Sequence, residues 1–182
     1  MMRVIKLGGS LLAANTLRNC LDAVARYNGQ TLLVPGGGMF ADQVRVAQAA
    51  YHFDDVAAHR MALLAMQQMA LVFNSYKPEY QLVDSLTKLP DSCRVGIWQP
   101  QVAELDAAGI PASWDISSDS LAAWLARSLG ADELILVKAA EIDPQASLNE
   151  LQDQDIVDKA FVQFANQLSC SVIVLNQSTF VT

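Results

Sequence analysis

Positive charge is scarce in this 182-residue chain, which has 12 lysine and arginine residues against 19 acidic ones and a formal net charge of −7. Such an acidic protein repels nucleic acids and anionic membrane surfaces, and no run of basic residues offsets that repulsion. We therefore expect neither nucleic acid nor a membrane as a partner. A phosphorylated ligand would be repelled in the same way, so any phosphate site must be built locally.

Cysteine and histidine are also scarce. Cys20, Cys93 and Cys170 stand far apart without a CxxC spacing, which indicates reduced thiols rather than a disulfide framework or a metal site. His52 and His59 are too isolated for a metal site, and we expect each to have a hydrogen-bonded structural role. We expect no metal ion held by the protein's own side chains.

Long hydrophobic runs are absent, although 52% of the residues are hydrophobic and the mean hydropathy is +0.22. No uninterrupted apolar stretch approaches the roughly 20 residues that span a bilayer, and Gly8-Gly9 interrupts the first one before a signal-peptide core could form. We expect a cytoplasmic protein with one domain over residues 1–182, since no linker divides it. Its apolar surplus would be buried in a two-sided sheet or a subunit interface.

Apolar strands alternate with helical segments along the chain, and glycines follow the first two strands. This order is typical of parallel strands joined by helical crossovers, so the sequence predicts an α/β fold. The predicted strands are 4–7, 31–34, 94–98, 133–137 and 171–175, and the predicted helices are 15–27, 39–50, 54–76, 118–129 and 155–168.

The predicted helix at 54–76 carries two neighbouring apolar rows, 63/66/70/73 and 62/65/69/72. Two rows exceed what one sheet face normally covers. We therefore expect this helix to form a dimer interface through residues such as Met66 and Phe73.

Lys6 interrupts the apolar run Val4-Ile5-Lys6-Leu7 near the carboxyl end of a strand predicted to be buried on both faces. An unpaired buried ammonium group costs several kcal/mol, so Lys6 needs a partner. One interpretation pairs it with a structural carboxylate. The other directs it at a phosphate, because ligands of open α/β sheets bind at the carboxyl ends of strands.

Two glycine segments follow predicted strands, Gly8-Gly9 before Ser10 and Gly36-Gly37-Gly38 before a helix. Successive amides without Cβ atoms can approach phosphate oxygens closely, and a helix start favours an anion. Neither segment matches the P-loop pattern or the GxGxxG of dinucleotide-binding folds. Two separate loops predict two anionic groups facing each other, one on a donor and one on an acceptor.

Asp119 and Arg45 are further candidates, each with an alternative interpretation. Asp119 lies in the first turn of the helix predicted at 118–129, where it could act as a capping acid or hold Lys6 in place. Arg45 follows the second glycine loop by two helical turns. It could be a solvated helix residue or a clamp on an acceptor.

Three of these segments together resemble the amino-acid-kinase superfamily. They are Lys6-Leu7-Gly8-Gly9-Ser10, Val34-Pro35-Gly36-Gly37-Gly38, and 118–123 with Asp119. The resemblance implies a three-layer sandwich with a largely parallel central sheet. It also implies a homodimer or higher homo-oligomer, and phosphoryl transfer from ATP, with Mg²⁺, to a small molecule.

By the same resemblance, Lys6 and Gly8, Gly9 and Ser10 would touch the transferring phosphate, and Asp119 would organise the lysine. The second loop, Gly36, Gly37 and Gly38, would contact the acceptor. Segments 38–45, 59–66 and 114–126 are similar to the small archaeal-type kinases of methanofuran biosynthesis. Those kinases convert an aminomethylfuran-methyl phosphate to a diphosphate, which implies a phosphate monoester as acceptor and a role in one-carbon metabolism.

The sequence departs from the superfamily pattern in two places. Residues 138–144 stand where an Asp-Val-Asp-Gly turn usually lies beside the nucleotide, and no glycine precedes the late helix that usually carries a second catalytic lysine. Lys138 or Lys159 could supply that charge, as a catalytic or an ATP-binding residue. A non-catalytic nucleotide- or anion-binding subunit and a carboxylate kinase remain the alternatives.

Overall fold

A computed structural model describes residues 1–85 and 93–182 of the chain. Its described strands form one sheet of six parallel strands in the order β3-β4-β2-β1-β5-β6. The prediction of a parallel α/β fold is confirmed. The strands are β1 (Met2–Leu7), β2 (Gln30–Pro35), β3 (Gln81–Val83), β4 (Val95–Trp98), β5 (Glu133–Lys138) and β6 (Ser171–Asn176).

Helices cover both faces of this sheet, because side chains alternate along each strand and both sets are apolar. In β1, Val4 joins a core cluster with the helices at 118–129 and 161–165, whereas Ile5 and Leu7 join a second cluster with the helices at 10–13, 17–24 and 177–181. The three-layer sandwich is thereby confirmed. The helices are α1 (Ser10–Ala13), α2 (Leu17–Val24), α3 (Gly38–Tyr51), α4 (Asp55–Tyr76), α5 (Val102–Ala107), α6 (Ser118–Leu129), α7 (Leu148–Asp153), α8 (Phe161–Ala165) and α9 (Gln177–Val181).

Helix α4 is the longest described helix and begins where Asp54 accepts a hydrogen bond from the backbone N–H of Ala57 at 2.8 Å. Within residues 1–85 and 93–182, it is the one helix long and apolar enough to cross a membrane by length and composition. This is a weak indication, because a core helix of a soluble protein passes the same test, and 44% of its most apolar window is buried in the fold.

The expectation that the two apolar rows of α4 form a subunit interface is wrong for the residues named. Met66 and Phe73 are buried in the core of this chain. Glutamate at either position would disrupt the core before it could separate subunits. The large apolar side chains that α4 leaves exposed are on another face and include Leu64 and Leu71. Self-association stays a prediction, moved to that face.

The late helix predicted at 155–168 is also wrong in its first half. A capping box between Ser147 and Glu150 starts α7 earlier, and Asp155 has a left-handed φ of 54°, which breaks helical continuity. Residues 154–160 therefore form a turn before α8. The short elements α1, β3, α5 and α9 have too few residues to show a hydrophobic period, and the sequence did not predict them.

Candidate active site

Lys6 and Lys138 lie on neighbouring strands, near their carboxyl ends, on the same face of the sheet. Lys6 pairs in register with Leu136 of β5, two residues before Lys138. Because side chains two residues apart share a face, both lysines point toward the layer that contains α6. The N-terminal turn of α6 places Asp119 between them.

Asp119 contacts both ammonium groups. Lys138 Nζ donates to Asp119 Oδ2 at 2.6 Å, and Lys6 Nζ lies 2.9 Å from Oδ1, as an ion pair without hydrogen-bond alignment. Lys6 and Asp119 are 5% and 3% exposed, respectively. The structure thus brings together the lysine and the carboxylate that the sequence singled out, and it joins to them Lys138, one of the two candidates for the second charge. We call these three residues the lysine cluster.

The charges of the lysine cluster are strongly coupled. Burial by itself would raise the pKa of Asp119, but the ammonium groups of Lys6 and Lys138 outweigh it and lower that pKa to about 2. The pKa of Lys138 is lowered to about 8 by burial and by Lys6, against the opposing effect of Asp119. With all three groups ionised, the cluster carries one positive charge in excess, which favours a bound anion.

Asp158 caps α6 from a distant part of the chain. Its carboxylate accepts hydrogen bonds from the backbone N–H groups of Ser117 and Ser120, at 2.9 and 3.0 Å, and from both hydroxyl groups. The backbone N–H of Asp158 donates to Asp119 Oδ2 at 3.3 Å. Asp158 therefore satisfies two amides at the start of α6, and Asp119 contacts the lysines instead of capping the helix.

The two glycine loops lie directly against each other. They follow adjacent strands at the same level, since Leu7 pairs with Pro35 in the sheet register. A Cβ atom on Gly36 would lie 2.6 Å from the backbone nitrogen of Gly9, and one on Gly9 would lie closer still to Gly38. Gly8 sits beside the lysine cluster, because a Cβ atom there would be 3.7 Å from Lys6 Nζ. This packing requires glycine at both contact points.

Two cavities adjoin at this site. The glycine cavity, of about 360 Å³, is lined by both glycine loops, by Ser10 and by apolar side chains of α4 and α6. The lysine cavity, of about 450 Å³, is lined by the lysine cluster and by residues 155–159. Arg45, Trp114 and Ser117 line both. A group bound at their junction would therefore face the glycine amides and the lysines together.

Arg45 is held at this junction by Trp114. Its guanidinium carbon lies 3.8 Å from the centre of the Trp114 ring, a cation–π contact. The indole N–H of Trp114 donates in turn to Gln48 Oε1 at 2.7 Å. Although Arg45 is two turns along α3 from the glycine loop, it lies in the wall of both cavities, and its role as a clamp on an acceptor stays a prediction.

Lys159 differs from Lys138 in its surroundings. Its side chain is 73% exposed, and its ammonium lies 3.8 Å from a carboxylate oxygen of Asp115. It lines the lysine cavity but does not join the lysine cluster. The unusual turn after β5 is fixed by Asn176, whose side-chain N–H groups donate to the carbonyls of Ala139 and Ala140 at 3.2 and 2.7 Å.

The sequence did not identify Asp158 or Asn176, and it assigned His59 only a structural role. Asp158 acts on residues about 40 positions away, and no local pattern marks such a contact. His59 is buried in α4 and lines the glycine cavity. Predicting that His59 lines this cavity would have required knowing how α4 packs against residues 113–117.

The chain is similar in sequence and in fold to proteins of known activity. The model of the amino acid kinase family matches residues 1–141. A (5-(aminomethyl)furan-3-yl)methyl phosphate kinase from Methanocaldococcus jannaschii is 27% identical over 96% of this chain and 88% of its own length. The uridylate kinase of Archaeoglobus fulgidus has the same fold, with a TM-score of 0.73 at 17% identity over 100% of this chain and 94% of its own. The UMP kinase of Bacillus anthracis gives a TM-score of 0.69 at 16% identity, covering 97% and 87%.

Proposed function

Because the chain belongs to the amino acid kinase family and is a phosphotransferase, we propose that it transfers the terminal phosphoryl group of ATP to a phosphate monoester. The product would be a diphosphate. For phosphoryl transfer the protein must mainly align donor and acceptor and offset negative charge on the transferring group. The residues around the two cavities would perform these tasks.

The observation that carries the proposal is the excess positive charge of the lysine cluster beside the junction of the two cavities. In an acidic protein such a charge is a locally constructed anion site. Lys6 and Lys138 would stabilise the transferring phosphoryl group, since fixed charges in a desolvated site act strongly on charge that develops in the transition state. Asp119 would hold both lysines in place.

We assign the lysine cavity to the triphosphate of ATP and the glycine cavity to the acceptor. The transferring phosphate would contact Gly8, Gly9 and Ser10 on the side where Gly8 adjoins Lys6. Lys159, at the rim of the lysine cavity, would meet an outer phosphate. Lys138, rather than Lys159, would be the second catalytic charge, because its side chain is only 12% exposed and its ammonium group is bound to Asp119.

Mg²⁺ would enter this site as part of the substrate. Among residues 1–85 and 93–182, no group of three or more histidine, cysteine, aspartate or glutamate side chains could hold a metal ion. Mg²⁺ is commonly carried by nucleotide phosphates with few protein ligands. The chain's own contribution would then be the lysines and the backbone amides.

Two features support a phosphate monoester as acceptor. The relative from Methanocaldococcus jannaschii is named for such a substrate. The structural neighbour from Archaeoglobus fulgidus is named for uridylate, which is also a phosphate monoester. The loop Gly36-Gly37-Gly38 at the start of α3, with Arg45 beyond it, is suited to a dianion. A non-catalytic role is disfavoured, since these relatives are kinases and the lysine cluster is intact.

A competition assay tests the proposal. Turnover of (5-(aminomethyl)furan-3-yl)methyl phosphate, isopentenyl phosphate, uridylate, acetylglutamate and aspartate is measured under identical Mg-ATP conditions, with Lys6→Ala as the inactive control. We expect a phosphate monoester to be preferred and converted to a diphosphate. Preference for either amino acid would assign the protein to the carboxylate kinases. ATP binding without turnover of any acceptor would refute the proposal.

A further inference from the structure

His59 is a buried polar residue in the wall of the glycine cavity that the proposed mechanism does not use. It projects from the first turns of α4, is 6% exposed, and lies among the apolar residues that line the cavity, which include Leu63, Met66 and Leu121. A polar ring in such a position requires partners for its two nitrogens, because burying an unpaired polar group costs free energy.

One nitrogen of His59 has a partner, and that partner fixes the tautomer. Nδ1 lies 3.0 Å from the backbone carbonyl oxygen of Ser113. A carbonyl oxygen can only accept, so Nδ1 carries the proton and the neutral ring leaves Nε2 as an acceptor. Nε2 makes no hydrogen bond with the residues that the structure describes. Burial lowers the pKa of His59, so the ring is neutral near pH 7.

A second acceptor group lines the same cavity. Asp42, an exposed carboxylate on α3, makes no ion pair within residues 1–85 and 93–182, and Arg45, three residues further on, stacks on Trp114 instead. A carboxylate opposes the binding of a purely anionic ligand. The arrangement is favourable when the ligand carries a cation as well as a phosphate.

We propose that His59 determines acceptor specificity, its Nε2 accepting a hydrogen bond from a protonated amino group on the acceptor. The inference rests on the proposed function, because it takes the glycine cavity to hold the acceptor. The apolar walls would receive a small ring, the glycine loop its phosphate, and His59 with Asp42 its ammonium group. A neutral imidazole suits this task, since an imidazolium would repel the ammonium.

Two acceptors and two variants test this role. The acceptors are (5-(aminomethyl)furan-3-yl)methyl phosphate and its analogue (5-methylfuran-3-yl)methyl phosphate, which lacks the amine. His59→Asn places an amide N–H near the position of Nδ1 but removes the Nε2 acceptor. His59→Gln places an amide oxygen near the position of Nε2 instead, and serves as the matched control.

We expect His59→Asn to lower kcat/KM for the amine about tenfold or more, through KM, and to leave the analogue within about twofold. His59→Gln should restore most of the preference for the amine. Equal losses for both acceptors in His59→Asn would show that His59 only links α4 to residue 113. Unchanged kinetics with both would also overturn the proposal.

A binding measurement on the protein without substitutions at His59 separates this inference from the proposed function. In a His52→Gln background, the ¹⁵N signals of a single imidazole are recorded without ATP. We expect an unprotonated Nε2 that shifts on adding the amine and not on adding the analogue. If neither acceptor is phosphorylated, the proposed function fails while this shift still supports His59 as the amine contact. A protonated Nε2, or no shift with the amine, refutes the inference.

Discussion

Replacing Asp119 with asparagine removes the carboxylate charge that Lys6 and Lys138 share and changes the side-chain volume little. Two structural facts make this substitution informative. The carboxylate contacts both ammonium groups, and the cap of α6 comes from Asp158 rather than from Asp119. Asparagine keeps an oxygen that can accept the backbone N–H of Asp158, so a large effect of the substitution reports the ion pairs.

The expected cost in stability follows from the pKa of Asp119. This pKa is lowered from 3.8 to about 2, which corresponds to about 2–3 kcal/mol of folding free energy at neutral pH. Removing one partner of a buried ion pair costs about 3–5 kcal/mol in other proteins. We expect Asp119→Asn to lower the free energy of unfolding by about 2–5 kcal/mol, whereas a lost cap costs about 1 kcal/mol.

The assay is urea unfolding at several pH values, combined with steady-state kinetics. Because the folded pKa is depressed, the stabilisation by Asp119 is present above the unfolded pKa and is lost as pH falls from 3.8 toward about 2. That part of the acid sensitivity should be absent from Asp119→Asn. We also expect kcat to fall about a hundredfold, because the lysines lose their position and Lys138 loses its proton more readily.

The matched control is Asp54→Asn, the same exchange at the exposed cap of α4, where asparagine can still accept the bond from Ala57. It should change stability by less than about 0.5 kcal/mol and leave kcat unchanged. If Asp119→Asn behaves like this control, the lysine cluster contributes neither to stability nor to turnover and the reasoning is wrong.

Three further predictions concern charge and assembly. Lys6→Ala should lower kcat at least about a hundredfold with an unchanged circular dichroism spectrum, and near-normal turnover would remove Lys6 from the mechanism. The kcat/KM of the free enzyme should fall as pH rises above about 8, where Lys138 loses its charge; a flat profile to pH 10 would contradict its role. We expect a homodimer through the exposed face of α4, so that Leu64→Glu with Leu71→Glu gives monomers by light scattering while ATP binding persists. A monomeric parent protein would refute this association.

The sequence predicted the elements that have a strong hydrophobic period. Helix α6 occupies the predicted residues 118–129, and β1, β2, β4, β5 and β6 lie within about two residues of their predicted bounds. Lys6 was identifiable because a charge inside a buried strand needs a partner. For Asp119 the sequence left two interpretations open, because an acid in the first turn of a helix is typical of a cap as well. The contact between Lys6 and Asp119 agrees with the interpretation in which Asp119 holds the lysine.

The remaining features depend on tertiary contacts that no local pattern contains. Which face of α4 is buried was not predicted, because both apolar rows fit a core and an interface alike. The role of Asp158 depends on how the turn at 154–160 meets α6, and the choice between Lys138 and Lys159 depends on strand register. Strand register and the packing of the 154–160 turn against α6 determine these contacts, and neither can be identified from a single sequence.

The cap that Asp158 provides to α6 has a consequence for how the lysine cavity can open. Asp158 belongs to the turn that forms one wall of this cavity, and it also holds the amides of Ser117 and Ser120 and donates to Asp119. Outward displacement of this turn would remove the hydrogen bonds that Asp158 accepts from the start of α6, and it would remove one donor from the carboxylate between the lysines. If ATP occupies the lysine cavity as proposed, nucleotide exchange by hinge motion at this wall would therefore change the charge environment of Lys6 and Lys138, and exchange through the opposite rim would not.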